Sequence, residues 1–221
     1  MNTCALIPVF NQESTIKNVV IKTRQYIPIV VVIDDGSYDN TADEAIAGGA
    51  IILRNELNQG KGAALKKGFG YACDNNYDAV ITLDGDGQHD PEDIAHLLSR
   101  IDKADIIIGS RIENSHNMPR LTLIANIILS RIISLLSQQS AHDSQSGFRL
   151  IKTSVLKHIR LITNRYEMET ELLIKAHRNG FTSIEVPIKT IYYKRLPRST
   201  IVEDTCYMIK LFCSPHLYSH L

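Results

Sequence analysis

Ala79-Val80-Ile81-Thr82-Leu83-Asp84-Gly85-Asp86-Gly87-Gln88-His89-Asp90-Pro91 packs an apolar run, a cluster of carboxylates and glycines, and a helix start into a short stretch. The run Ala79 to Leu83 predicts a buried strand, and Asp90 followed by Pro91 predicts an N-cap with proline in the first helical turn. The same rhythm recurs on both sides. Strands are predicted at Cys4 to Val9, Ile29 to Ile33, Ala50 to Leu53 and Asp105 to Ile108. Asn11 is expected to cap the first helix, and Gly48 and Gly49 to end the second. Ala63, Ala64, Leu65, Phe69 and Ala72 mark the apolar side of a helix after Gly62. Strands alternating with helices predict a Rossmann-like α/β fold, with a mostly parallel sheet flanked by helices.

Past residue 110 the rhythm breaks into an α+β portion. A helical pattern from Pro119 to Gln139 puts Leu121, Ile124, Ile128, Ile132, Leu135 and Leu136 on one arc, with Thr122, Asn126, Ser130 and Ser134 opposite. A polar loop (Ser140 to Ser146), a strand (Phe148 to Ile151), two helices, a strand pair around Phe181 to Tyr193 and a helical segment near Ile201 to Phe212 follow. Neither an internal repeat nor a linker divides the chain, so 1–221 reads as one domain.

The 221 residues, 44% of them hydrophobic, suit one globular domain and exclude disorder. With 24 Lys plus Arg against 24 Asp plus Glu, the formal charge is zero, which argues against a nucleic-acid binder. That balance is segregation. Residues 1–110 carry 16 acids and 9 bases, and residues 111–221 carry 8 acids and 15 bases. Cys4, Cys73, Cys206 and Cys213 lie far apart without metal-finger spacing, favouring a reducing cytosol over a disulfide framework. The N-terminus reads as a strand rather than a signal peptide. The longest apolar stretch, Leu121 to Leu136, is broken by Asn126 and Arg131 and falls short of the ~20 residues a membrane span needs.

Three constellations carry chemistry. Asp84 and Asp86, at the carboxyl end of a strand, can approach one Mg²⁺ or Mn²⁺ that completes its shell with water and substrate phosphate oxygens. A calcium loop of the EF-hand type would want Gly where His89 stands and Glu where Ala95 stands. A plain turn with solvated acids is the other alternative. Asp34-Asp35-Gly36-Ser37, at a second strand end, can accept hydrogen bonds from a base or ribose, or simply form a turn. Asn58-Gln59-Gly60-Lys61-Gly62 opens a helix, where backbone amides favour anions and Lys61 adds a point charge for phosphate. It matches neither the P-loop nor the GxGxxG pattern, and a structural turn is the competing reading.

In order along the chain stand Pro8-Val9-Phe10-Asn11, Asp34-Asp35-Gly36-Ser37, Asn58-Gln59-Gly60-Lys61-Gly62, Asp84-Gly85-Asp86-Gly87-Gln88, Gly109-Ser110-Arg111 and Ser146-Gly147-Phe148-Arg149. This ordered set, spread over residues 4 to 200, resembles the family 2 inverting glycosyltransferases of the GT-A fold. It looks most like the dolichyl- and polyprenyl-phosphate mannosyl- and glucosyltransferases. The resemblance implies that Pro8, Phe10, Asp34 and Asp35 line the nucleoside pocket, with Gln12, Lys61 and Asp84 also on the nucleotide. Asp84 and Asp86 would bind the metal with Gln88 nearby, while Arg111, Arg149, Ser146 and Arg120 would face an acceptor phosphate. Residues 1–110 would thus form the nucleotide-sugar half and 111–221 the acceptor half. Two departures stand out: Gln12, with Glu13 following, occupies the place where the family often has Glu, and Pro197-Arg198-Ser199-Thr200 replaces a Gly-x-Ser-Lys segment. Arg195 or Arg198 would supply the missing cation.

The expected reaction is metal-dependent, inverting transfer of a hexose from a nucleotide diphosphate sugar, of the GDP-mannose or UDP-glucose type, to a polyprenyl or dolichyl phosphate. Asp86 and Arg111 are the expected catalytic residues. The alternative acceptor is a glycan or protein hydroxyl in cell-surface polysaccharide synthesis. That acceptor needs a base, for which Asp143 comes first and Glu169 second. A catalytically idle nucleotide-sugar binder is the reading from a different class. A cytoplasmic location is expected, with the apolar helix in the core, in a homodimer interface or peripherally on the membrane face.

Overall fold

The computed structural model describes residues 1–111, 128–135 and 143–189. Its strands are β1 (Thr3–Val9), β2 (Val30–Asp34), β3 (Ile51–Arg54), β4 (Ala79–Thr82), β5 (Ile106–Ser110), β6 (Arg149–Lys152) and β7 (Ser183–Pro187). The helices are α1 (Ile16–Thr23), α2 (Thr41–Ala47), α3 (Lys61–Asp74), α4 (Ile94–Leu98), α5 (128–135), α6 (Thr153–His158) and α7 (Glu167–Arg178). A 3₁₀ turn, Pro91–Asp93, leads into α4, and the Asp90 carboxylate caps it by accepting from the Glu92 amide, as its sequence predicts. The expected segment from Ile201 to Phe212, the second strand of the C-terminal pair, Arg120, Arg195 and Arg198 lie outside the described residues.

The strands form one sheet in the order β3-β2-β1-β4-β6-β5-β7. Six strands point the same way, and only β6 is antiparallel to its neighbours β4 and β5. Strand β5, from the N-terminal half of the chain, is hydrogen-bonded between β6 and β7.

Alternation along β1 splits the core. Cys4 and Leu6 face one side with α3 and α7, while Ala5, Ile7 and Val9 face the other with α1 and α4. Leu6 and Ile7 are fully buried, each worth about 1.5–3 kcal/mol against exposure. Helix α3 lies close on the sheet because Gly68 has no side chain: a Cβ there would stand 2.9 Å from Ile33 Cδ1 and 3.2 Å from Leu6 Cδ1.

Two sequence expectations are corrected. Asn11 does not cap α1, whose N-cap is Thr15. Instead Asn11 sits at φ 54°, its amide donating to Ser37 Oγ (2.9 Å) and its Oδ1 accepting from the Tyr38 amide (3.1 Å). It therefore ties the end of β1 to the turn after β2. In α5 the described part of the apolar arc faces outward, which counts against the core reading and leaves the dimer-interface and membrane-face readings: Ile128, Ile132 and Leu135 are 55%, 38% and 80% exposed, while Ser130, expected on the polar face, and Ile133 are buried. Ser130 Oγ lies 3.0 Å from Ser144 Oγ and accepts from the Ser144 amide, so its hydroxyl is satisfied inside. Among the described residues no helix is long and apolar enough to cross a membrane.

Candidate active site

The sheet's topology gathers every motif at one edge. β1, β2, β4 and β5 deliver Phe10, Asp35, Asp84 and Arg111 at their carboxyl ends, and antiparallel β6 starts from that edge at Arg149. Lys61 opens α3 just after β3, and Glu169 stands in the first turn of α7, which precedes β7. Open α/β sheets bind ligands at this carboxyl edge.

The turn after β4 presents two part-exposed carboxylates. Asp86 Oδ1 accepts from the Gln88 amide and Oδ2 from Gln88 Nε2, both at 2.9 Å, so Gln88 braces Asp86. The buried His89 ring stacks on Phe148, with centroids 5.2 Å apart, and its Nδ1 accepts from the Asp84 amide at 3.1 Å. Burial pushes the His89 pKa down to about 4, so the imidazole is neutral and holds the turn by its lone pair. Thr15 Oγ1 donates to the Gly85 carbonyl at 2.7 Å, pinning the turn to the start of α1.

Lys61 stands against these acids. Its Nζ lies 2.6 Å from Asp84 Oδ1 and 3.1 Å from Glu169 Oε1, and 5.9 Å from the centre of the Tyr166 ring. Burial alone would lower the Lys61 pKa, but the two carboxylates outweigh it and hold the ammonium charged. Burial would raise Asp84, yet Lys61 brings it down to about 2. Asp86 moves the opposite way, raised by burial and then by Asp84. The backbone at the start of α3 is less open than its glycines suggest. The Ala63 amide donates to the Asn164 carbonyl, and a Cβ at Gly62 would stand 2.7 Å from the Arg165 carbonyl. The chain at 164–165 covers this helix start, leaving the Lys61 side chain as its contribution to the site.

The motif expected on the acceptor side is built differently. Arg111 donates from Nε and Nη2 to the two oxygens of Asp143, at 2.9 and 2.7 Å, and its amide donates to Oδ2 at 2.8 Å. Asp143 is fully buried. Burial would raise its pKa, but the Arg111 hydrogen bonds and charge bring it below the usual carboxylate value. That bond set holds Arg111 in place and leaves Asp143 poorly suited to take a proton. Ser146 is fully buried. Arg149 is 1% exposed and donates from Nε, Nη1 and Nη2 to the carbonyls of Ser146, Glu169 and Ser144, at 2.8, 2.8 and 2.7 Å. Its guanidinium thus lies beneath the 143–149 loop and ties it to α7, turned away from where the sequence expectation put it.

At the opposite end of the edge stands the expected nucleoside region. Pro8 is buried in β1, and Phe10 is 38% exposed, its ring 5.8 Å from Tyr38 in a T-shaped pair. The Gln12 amide donates to Thr41 Oγ1 and its carbonyl accepts from the first amides of α1. Asp34 accepts from the Ser37 amide and lies 3.3 Å from Arg54 Nε. Asp35 accepts from Asn55 Nδ2 and from the Gln59 and Gly60 amides. It thereby fastens the loop before Lys61, in which Gly60 adopts φ 102°. Sequence reasoning missed Tyr38, Tyr166 and the pairing of Glu169 with Lys61. These contacts join positions far apart in the chain, and only the exposed aromatic after Asp34-Asp35-Gly36-Ser37 left a local signal.

The oxygen donors fit a hard divalent cation. Asp84 and Asp86 are part-exposed carboxylates on one turn, and the Lys61 ammonium already stands against Asp84 as a cation. Among the described residues no group of three or more His, Cys, Asp or Glu side chains converges as metal ligands.

Residues 4–160 match the family model described as Glycosyl transferase family 2. The chain is 38% identical to the UDP-N-acetylglucosamine–dolichyl-phosphate N-acetylglucosaminyltransferase of Methanococcus voltae, over 85% of this chain and 84% of that protein. It is 31% identical to the polyprenol monophosphomannose synthase of Mycolicibacterium smegmatis, over 84% of this chain and 76% of that protein. Glucosyl-3-phosphoglycerate synthase from Mycobacterium tuberculosis superposes with a TM-score of 0.76 at 18% identity, covering 98% of this chain and 79% of that one, which establishes the fold. The same enzyme has been crystallised with Mn²⁺, uridine diphosphate and phosphoglyceric acid.

Proposed function

We propose that this chain, which belongs to glycosyl transferase family 2, moves a hexosyl group from a nucleotide diphosphate sugar to a polyprenyl or dolichyl phosphate, with inversion at the anomeric carbon. One observation carries the choice of acceptor. The two carboxylates that could serve as a base are both engaged, Asp143 by Arg111 and Glu169 by Lys61. A hydroxyl acceptor needs a base; a phosphate oxygen is already anionic at neutral pH. Relatives named for dolichyl phosphate and polyprenol support the same reading.

In this reading the acceptor oxygen attacks the anomeric carbon as the bond to the diphosphate oxygen breaks on the opposite face. Arg111, held rigid by Asp143, grips the acceptor phosphate, and Lys61 meets the charge growing on the departing diphosphate. Asp84 and Asp86 would hold Mg²⁺ or Mn²⁺, which supplies further charge neutralisation when bound. Phe10 offers a face to the base, with Asp34 and Asp35 shaping the pocket behind it. Arg149 supports the acceptor side from beneath. The exposed arc of α5 suits peripheral contact with the membrane carrying the lipid.

The test is incubation with labelled GDP-mannose, UDP-glucose or UDP-N-acetylglucosamine, Mn²⁺ and a polyprenyl phosphate. A labelled product extractable into organic solvent is expected. Absence of product with every donor, or label passing only to a glycan or protein, would overturn the proposal.

A further inference from the structure

Lys61 occupies an odd position for a group meant to meet a diphosphate. Its ammonium is held 2.6 Å from an oxygen of Asp84, one of the two carboxylates suited to the divalent cation. The ammonium holds Oδ1 of Asp84, so a divalent cation on the same carboxylate, even on Oδ2, stands close enough for the two positive charges to repel. The ammonium has a second anchor in Glu169, 3.1 Å away and well buried. Gly147 closes the remaining side: a Cβ there would stand 2.7 Å from Lys61 Nζ and 3.1 Å from both Asp84 Oδ2 and Glu169 Oε1. The lysine stem is flexible, so its head can turn about Glu169 while releasing Asp84.

We infer that Lys61 is a built-in competitor for the metal carboxylate Asp84, and that Glu169 is the positioning residue on which it parks when a divalent cation takes Asp84. The inference rests on the metal-binding part of the proposed function and deepens it. Without nucleotide, the cation must share Asp84 with an ammonium or push it aside, and binds weakly. An incoming diphosphate offers its oxygens to Lys61, still anchored on Glu169, and further ligands to the cation, so the two bind cooperatively. Linkage requires the reciprocal effect: Mn²⁺ must raise nucleotide affinity by the same factor. Glu169 is thus no proton acceptor, but sets how strongly Lys61 contests Asp84.

The experiment measures Mn²⁺ affinity of the full chain by the electron paramagnetic resonance of free Mn²⁺, alone and with UDP or GDP, so no turnover is needed. Lys61→Gln, which keeps a hydrogen-bonding head, and Lys61→Met should each tighten Mn²⁺ binding without nucleotide by about tenfold and shrink the gain on adding nucleotide. Circular dichroism verifies that each variant is folded. A mere nearby charge would produce part of that change, so the deciding measurement is a double-mutant cycle. Glu169→Gln should weaken Mn²⁺ binding by about fivefold when Lys61 is present and by less than about twofold in the Lys61→Gln background. Equal losses in both backgrounds, or unchanged Mn²⁺ affinity in both Lys61 variants, would overturn the inference. If the cycle comes out as expected while no donor yields a lipid-linked product, the inference stands and the proposed acceptor falls.

Discussion

Two turns face each other across the carboxyl edge of the sheet, and they use charge in opposite ways. In the turn after β4, Asp84 and Asp86 keep oxygens toward the open site and are braced by groups that do not neutralise them fully. In the turn before β6, Asp143 and Arg149 are nearly or wholly buried, and their polar atoms are spent on Arg111 and on backbone carbonyls. The first turn holds an electrostatic tension that a ligand can relieve. The second resolves its tension internally and thereby fixes Arg111. A charged residue in a motif is thus either an instrument or a support, and hydrogen-bond saturation distinguishes the two.

Arg149→Leu is expected to break the contrast most strongly. It strands three carbonyls around a buried site, and urea unfolding should show a loss of about 3–5 kcal/mol. Arg149→Lys should recover little, since one ammonium cannot reach three carbonyls set in a fork. Asp86→Ala should do the reverse. Transfer to lipid phosphate should fall by about 100- to 1000-fold, while stability stays within about 0.5 kcal/mol or rises. The raised pKa of Asp86 signals a charge that the fold itself disfavours.

The motifs of both turns are equally legible as sequence, because Asp-Gly-Asp-Gly-Gln and Ser-Gly-Phe-Arg are local patterns. Their division of labour is not, because it depends on partners far along the chain: Glu169 for Arg149, Asp143 for Arg111. Strand positions followed from apolar runs, yet the antiparallel course of β6 between β4 and β5 has no local signature. The facing of α5 is hidden from the sequence for a related reason. Periodicity finds two faces of a helix, but Ser130 turned inward because Ser144 was there to bond it.

A pH series sharpens the comparison further. His89 has its pKa at about 4 in the fold against an ordinary 6.5, so the unfolded chain takes up the proton first as pH falls. The stability it contributes is complete above about 6.5 and is lost on descending to about 4, amounting to about 3 kcal/mol. His177, also lowered to about 4 by burial, acts over the same window. His89→Asn, whose Oδ1 can still accept from the Asp84 amide, should therefore flatten the melting-temperature profile between pH 6.5 and 4 by roughly half. An unchanged profile would mean that the imidazole is charged in the fold.

The smallest expected effect separates support from chemistry within the second turn. Asp143→Asn should cost about 2 kcal/mol of stability by loosening Arg111, and should lower transfer by about tenfold without removing a limb of its pH profile. Loss of the acidic limb would instead mark Asp143 as a base and restore the hydroxyl acceptor.

The placing of β6 also has a consequence for how the chain comes to its final form during synthesis. Strands β1 to β4 are contiguous in sequence and adjacent in space, so that portion can assemble as it emerges. The outer edge of β4, however, gains its native partner only when residues 149–152 arrive, and β5 must wait for the same segment. In that interval two β-rich edges, Ala79–Thr82 and Ile106–Ser110, are exposed to mispairing with other chains, which makes them the segments a nascent-chain chaperone has most reason to shield.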